Sequence, residues 1–193
     1  MDWDYLTASP ADVGLAKIFT LVKQERSKNP NTILIDDGDI LQGTPLDTYY
    51  NTIDKSWKVH PMFAAYNAMD YDTIVLGNHE FNFGLDLLKK AIGPSKAPVL
   101  SGNTFDSKKG KTWDAVKAYT IKSFIINEEI VKVGIIGLTT STVSNWEDQV
   151  HYAGLEFKDQ VETAKAIIKE IKNKVDLIII ASHSGVEITG EEA

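Results

Sequence analysis

The sequence predicts an α/β fold, a mainly parallel β-sheet core covered by helices on both faces. Two observations carry that expectation. Short, β-branched apolar runs recur along the chain, and several end abruptly in polar residues. Amphipathic stretches at helical spacing separate those runs. Strands alternating with helices build layered sheets, and ligands of such sheets sit beyond the carboxyl ends of the strands. No internal repeat or low-complexity segment disturbs the pattern.

The elements follow in order. ASPADVGLAKIFTLVKQERSKNP predicts a helix: Ser9 or Asp12 can cap it, Pro10 suits its first turn, and Leu15, Ile18, Phe19 and Val22 recur at helical spacing. Thr32–Asp36 (TILID) reads as a buried strand running into the turn-rich DGDILQGTP. HPMFAAYNAMDY predicts a helix, DTIVLG a second buried strand, FGLDLLKKAIG a helix closed by Gly93, and APVLSGN a third strand. YTIKSFII and IVKVGIIGL, separated at Asn127–Glu129, predict a hairpin. EFKDQVETAKAIIKEIKNKV is an amphipathic helix, and DLIIIASHSG a further buried strand.

The composition narrows the chemistry. The 193 residues carry 43% hydrophobic and 24% charged side chains, ordinary for one globular domain. A formal charge of −7 argues against binding a nucleic-acid polymer, which calls for a basic face. Small phosphorylated ligands remain open, since a bound cation reverses the local field. Zero cysteines exclude a disulfide scaffold, a thiolate zinc site and a cysteine nucleophile. No apolar run reaches the roughly 18 residues of a membrane span, and the acidic start MDWDYLTASPADVG is not a signal peptide.

Three polar clusters follow buried runs: IDDGD ending in Asp39, LGNHE with Asn78 and His79, and IASHSG with His183. Asp, Asn and His together suit a borderline divalent ion such as Mn²⁺, Zn²⁺ or Fe. A carboxylate can bridge two ions, an amide oxygen is a neutral ligand, and an imidazole ligates once its other N–H is held. His79 can instead face a substrate, protonating a leaving oxygen or stabilising charge on phosphate. Plainer roles stand beside these. Asp36, Asp37 and Asp39 can be turn formers, Asn78 a helix cap, and His183 a satisfied histidine. Glu80 is expected to anchor its turn by accepting backbone N–H bonds, and Asn103 in LSGNTF to line the site as a substrate-binding residue. His60 is expected in a loop or cap, and His151 has no spacing that marks a site.

These residues resemble a known family. DDGDILQGTP resembles the GD signature of calcineurin-like metallophosphoesterases, and GNHEFNFG resembles their GNHE signature. The extensions EFNFG and QGTP are most similar to the 5′-nucleotidase and 2′,3′-cyclic-nucleotide 2′-phosphodiesterase branch. MDWDY resembles the DYDY stretch of its cyclic-nucleotide members. The resemblance implies an α/β/β/α sandwich and a hydrolase of nucleotide phosphoesters that uses two divalent ions. It implies that Asp39 bridges the ions, that Asn78 and His183 bind the second, and that His79 assists the transition state without binding metal. It also implies a periplasmic, cell-wall or extracellular setting.

The departures set a further expectation. No Asp-x-His, the family's first motif, occurs in the chain, and no GHxH follows His183. Residues 1–193 therefore read as a partial catalytic domain that holds one ion or none and is inactive or weakly active alone. An incomplete sheet would also offer an edge for self-association. The competing readings are a non-catalytic binding module with the same fold, or a UDP-sugar or other diester hydrolase of the same superfamily.

Overall fold

The structure is a computed structural model that describes residues 3–4 and 7–185. The terminal VEITGEEA lies outside the described residues, as does MDWDY apart from the backbone of Trp3–Asp4. In chain order the elements are β1 (Trp3–Asp4), β2 (Ser9–Pro10), α1 (Leu15–Lys28), β3 (Ile35–Asp36), α2 (Pro45–Thr48), a π-helical turn (Tyr49–Ile53) and α3 (Pro61–Met69). Then come β4 (Thr73–Val75), a 3₁₀ turn (His79–Phe81), α4 (Leu85–Ile92), β5 (Val99–Leu100), β6 (Thr104–Asp106), β7 (Lys111–Thr112), β8 (Tyr119–Ile126) and β9 (Glu129–Thr139). The chain continues with α5 (Val143–Trp146), a second 3₁₀ turn (Gln149–Tyr152), β10 (Leu155–Phe157), α6 (Gln160–Ile171) and β11 (Leu177–His183).

Two sheets, rather than one, form the centre. The first is parallel, in the order β3-β4-β5. The second runs β11-β9-β8, with β11 parallel to β9 and the β8–β9 hairpin antiparallel. The hairpin turns at Asn127 and Glu128, both at positive φ (52° and 68°), where the right-handed strand twist favours a left-handed turn. The sheets pack face to face through Val75 and Leu100 of the first and Val133, Ile135, Ile179 and Ala181 of the second. Leu100 of the first sheet also forms an isolated bridge with Lys117, just before β8 of the second. Helix α6 covers the outer face of the second sheet through Ala164, Ile167 and Ile171 on Ile136 and Leu138. Helices α3 and α4 cover the first, placing Phe63, Leu88 and Ala91 against Ile74 and Leu76. This is the α/β/β/α sandwich. A single sheet would need β11 to pair with β3 or β4; instead it pairs along its length with β9.

Local details depart from the expectations where tertiary pairing intervenes. Helix α1 begins at Leu15 with Gly14 as N-cap and no side-chain cap bond. Ser9 and Pro10 are used instead in β2, paired with β1. None of the apolar stripe of α1 is fully buried, and Ile18 is 42% exposed. The helix is tied to α3 by Arg26, which donates to the carbonyls of Met69 and Asp70, both at 2.6 Å. The strand expected over Thr32–Asp36 shortens to Ile35–Asp36. A small antiparallel sheet, β10-β6-β7, was not expected at all. His60 does cap α3, accepting from the Met62 N–H at 3.3 Å.

Candidate functional site

The loop after β3 is shaped by Asp36. Its Oδ1 accepts the Gly38 N–H at 3.0 Å, an Asx turn, and the Tyr66 hydroxyl donates to its Oδ2 at 2.6 Å. Burial pushes the Asp36 carboxyl up from its usual range, opposed by those two bonds. Past the turn, Asp39 sits at φ 64°, a left-handed conformation that Asp tolerates better than most residues. Asp36 is thus the turn former of the cluster, and its turn turns Asp39 towards the next loop.

That next loop, after β4, is locked to the first by two carboxylates working in opposite directions. The Glu80 carboxylate, 1% exposed, accepts the Asp39 N–H (2.8 Å) and the Gly77 N–H (2.5 Å) on Oε2. On Oε1 it accepts the Ile40 (2.6 Å) and Leu41 (3.2 Å) N–H groups. In return Asp39 Oδ1 accepts the His79 N–H at 2.9 Å. Burial raises the Glu80 carboxyl, while the backbone donors favour its charged form. Both oxygens only accept, which is the geometry of a carboxylate.

Gly77 makes this closeness sterically allowed. A Cβ there would lie 2.2 Å from Asp39 Oδ1 and 2.7 Å from the ring of His183. Gly38, at φ 97°, would bring a Cβ to 2.4 Å from the Gly77 nitrogen.

His183 arrives from the end of β11. Its Nδ1 donates to the Asp37 carbonyl oxygen at 2.5 Å. Its Nε2 lies 3.2 Å from Asn78 Oδ1 and 3.3 Å from Asp39 Oδ2. Hydrogen bonding to Asp39 lifts the imidazole to about 9, with burial pulling the other way. Burial alone would raise Asp39, but the His183 and His79 bonds bring it below its usual value. With Nδ1 committed to a backbone carbonyl, the deprotonated ring presents the Nε2 lone pair to the same point as the two oxygens. A carbonyl-held imidazole, a carboxylate oxygen and an amide oxygen converging on one point form a donor set that fits a divalent ion. Among the described residues no group of three or more His, Cys, Asp or Glu side chains is gathered for a metal; here the third donor is the amide of Asn78.

His79 stands differently. Its backbone belongs to the cluster, but its ring does not hydrogen-bond Asp39, Asn78 or His183. Nδ1 lies 2.6 Å from Asn82 Oδ1. The Asn82 amide nitrogen donates to Glu147 Oε1, and Glu147 Oε2 meets His151 Nδ1 at 3.0 Å. Asn82, Glu147 and His151 escaped sequence reasoning. The spacing of His79 and Asn82 on one turn was a usable signal; Glu147 and His151 come from the β9–β10 connection, and nothing local marks them.

Asn103 does not offer itself to a ligand. It is fully buried, its Nδ2 donates to the carbonyls of Thr139 (2.7 Å) and Lys158 (2.9 Å), and its Oδ1 accepts the Thr139 N–H (2.8 Å). Its role in this arrangement is to tie β9 to the start of α6. A cavity of about 330 Å³ lined by Leu15, Leu46, Pro61 and Met62 lies between α1, α2 and α3, and includes none of the cluster residues.

Known proteins match the chain in sequence and in overall fold. The calcineurin-like phosphoesterase family matches residues 11–192. The chain is 36% identical to the trifunctional nucleotide phosphoesterase protein YfkN of Bacillus subtilis, over 97% of this chain and 13% of that protein. It is 34% identical to the 2′,3′-cyclic-nucleotide 2′-phosphodiesterase/3′-nucleotidase of Salmonella typhimurium, over 96% of this chain and 30% of that protein. The crystal structure of calcineurin-like phosphoesterase YfkN from Bacillus subtilis superposes with a TM-score of 0.88 at 34% identity, covering all of this chain and 60% of that one. The chain thus spans less than a third of the length of these two curated relatives.

Proposed function

Because the chain belongs to the calcineurin-like phosphoesterase family, whose members hydrolyse phosphoester bonds, we propose that it is part of a catalytic domain acting on nucleotides. The substrates proposed are 2′,3′-cyclic nucleotides and nucleoside monophosphates, in line with the names its relatives carry. The observation that carries the reading is the meeting of Asp39 Oδ2 and Asn78 Oδ1 at His183 Nε2, within 3.3 Å, at the carboxyl ends of strands from two sheets.

Family members generally use divalent ions, and the proposal here is a pair of them. Such ions supply positive charge for the phosphate and acidify water. Asp39, Asn78 and His183 would hold one ion, and Asp39 would reach the other. The remaining ligands of the second ion are not present among residues 1–193 in the family's Asp-x-His and GHxH patterns. We therefore read residues 1–193 as a partial catalytic domain, weak or inactive by itself. Asp37 orients the His183 ring through its carbonyl. Glu80 holds the Asp39 and Asn78 loops in register. His79 is left to exchange a proton at Nε2, the nitrogen that no described residue hydrogen-bonds. It would donate there to the leaving oxygen or to phosphate.

Among the described residues no helix is long and apolar enough to cross a membrane. The exported setting proposed rests on family resemblance, and fractionating the source cells would test it. The decisive experiment assays the full-length gene product, loaded with Mn²⁺, on bis-p-nitrophenyl phosphate and 2′,3′-cyclic AMP beside this 193-residue chain. Turnover by the longer protein and little by the short chain is expected. No hydrolysis of either compound by the longer protein would refute the function, and full turnover by the short chain would refute the partial-domain reading.

A further inference from the structure

The hydrogen-bonded series His79–Asn82–Glu147–His151 joins the GNHE loop to a connection 65 residues further along the chain. Glu147 is the last residue before the second 3₁₀ turn's lead-in, immediately after α5, and its side chain is 7% exposed. A carboxylate so enclosed is an expense unless it is fully bonded. It is bonded on both oxygens: Oε1 accepts from the Asn82 amide and Oε2 from His151.

We propose that Glu147 is a positioning residue that fixes the tautomer of His79 through the amide of Asn82, with His151 holding Glu147 in place. The logic follows from donor and acceptor inventories. An ionised carboxylate can only accept, so the NH₂ end of Asn82 must face Glu147. The Oδ1 end of Asn82 then faces His79 Nδ1, at 2.6 Å. An amide oxygen can only accept, so Nδ1 must carry a hydrogen. The proton that His79 takes up or releases is therefore the one on Nε2. Without Glu147 the amide of Asn82 is free to turn over and donate to Nδ1, and the neutral ring then carries its hydrogen on Nε2. That ring has no lone pair on Nε2 and cannot accept a proton there, and the hydrogen it carries there belongs to a neutral imidazole, a far weaker acid than the imidazolium. His151 completes the series: Nδ1 donates to Oε2 at 3.0 Å, which orients the carboxylate.

The inference rests on the proposed role of His79 in phosphoester hydrolysis, so its test reads both the ring and the reaction, in the full-length gene product, from which turnover is expected. Long-range ¹H–¹⁵N correlation of the imidazoles reports which nitrogen bears hydrogen. In the unaltered protein His79 is expected as the Nδ1–H form. Glu147→Ala is expected to convert it, wholly or in part, to the Nε2–H form, and to lower kcat about 10–100-fold with KM little changed, a range taken by analogy from the outer partners of metal-bound histidines. Asn82→Asp alone sets two carboxylates against each other and should also lower kcat. Asn82→Asp combined with Glu147→Ala places an obligate acceptor on Nδ1 with no opposing charge. This pair should restore both the Nδ1–H form and most of kcat, a recovery that lost packing would not produce. Retention of the Nδ1–H form and of kcat in Glu147→Ala overturns the inference, as does a double variant no better than either single one. A tautomer change in a protein that hydrolyses no phosphoester would overturn the proposed function and leave the positioning role standing.

Discussion

Replacing Glu80 by Gln tests the central lock of the site. The carboxylate accepts four backbone N–H groups, two on each oxygen. Gln keeps the shape but has one oxygen. Whichever way the amide turns, two N–H donors lose their acceptor and face an NH₂ group. They are either those of Asp39 and Gly77 or those of Ile40 and Leu41. A hydrogen bond to a charged group contributes about 1.5–3 kcal/mol, so losing two costs about 3–6 kcal/mol. The remaining two bonds weaken as the charge disappears, while burying a neutral side chain relieves desolvation; these partly offset. Against a typical total stability of about 5–15 kcal/mol this is a large fraction. Urea unfolding followed by far-UV circular dichroism measures it. At a slope of about 2 kcal/mol per molar, the midpoint should fall by about 1.5–3 M. Glu80→Met removes all four acceptors and should fall further than Gln. A Gln midpoint within about 0.5 M of the parent, or a Met variant at least as stable as Gln, would show that these bonds do not hold the two loops together.

Gly77→Ala places a methyl carbon 2.2 Å from Asp39 Oδ1, so the loops must part; the thermal shift on adding Mn²⁺ should be lost even where the variant remains folded. Asn103→Ala removes three buried hydrogen bonds and should cost roughly 2–4 kcal/mol of stability while leaving the KM of the full-length gene product unchanged; a raised KM with unchanged stability would return Asn103 to the substrate. His60 gives a pH dependence. Its Nδ1 accepts the Met62 N–H and its Nε2 meets Asn51 Oδ1, so the buried ring is neutral, and burial holds its pKa below 6.5. A depressed folded pKa means that its contribution is intact above the unfolded value, about 6.5, and is lost as pH falls through the folded value. Stability measured at pH 7.5 and pH 5 should therefore fall less in His60→Asn than in the parent, and equal falls would contradict this reading.

The candidate site was legible in unequal parts. Asp39, Asn78 and His183 were visible because each ends an apolar run in a residue type that can ligate or titrate, and polar groups so placed need a reason. The anchoring role of Glu80 was legible too, because a carboxylate beside a glycine turn has backbone donors within reach. Asn103 fitted the same pattern at the end of β5, yet its amide is consumed by Thr139 and Lys158. What sits at the end of a strand is local information, while what the side chain finds there depends on the neighbouring strand. The cap of α1 shows the same limit: Ser9 and Pro10 satisfy capping statistics, but β1 pairs with them first. The small β10-β6-β7 sheet has strands of two or three residues, too short to leave a periodic trace.

By itself, then, the sequence determined the alternation of strands and helices, the residue types of the site and the family they resemble, because periodicity and motif spacing are carried by neighbours in the chain. Only the tertiary structure decided that β11 pairs with β9 in a second sheet, that His183 thereby reaches Asn78 across 105 residues of chain and Asp39 across still more, and that Glu147 reaches Asn82. Those contacts join segments whose separation along the chain leaves no local signature. They are set by which apolar faces bury one another, and the polar side chains at the rim follow from that packing.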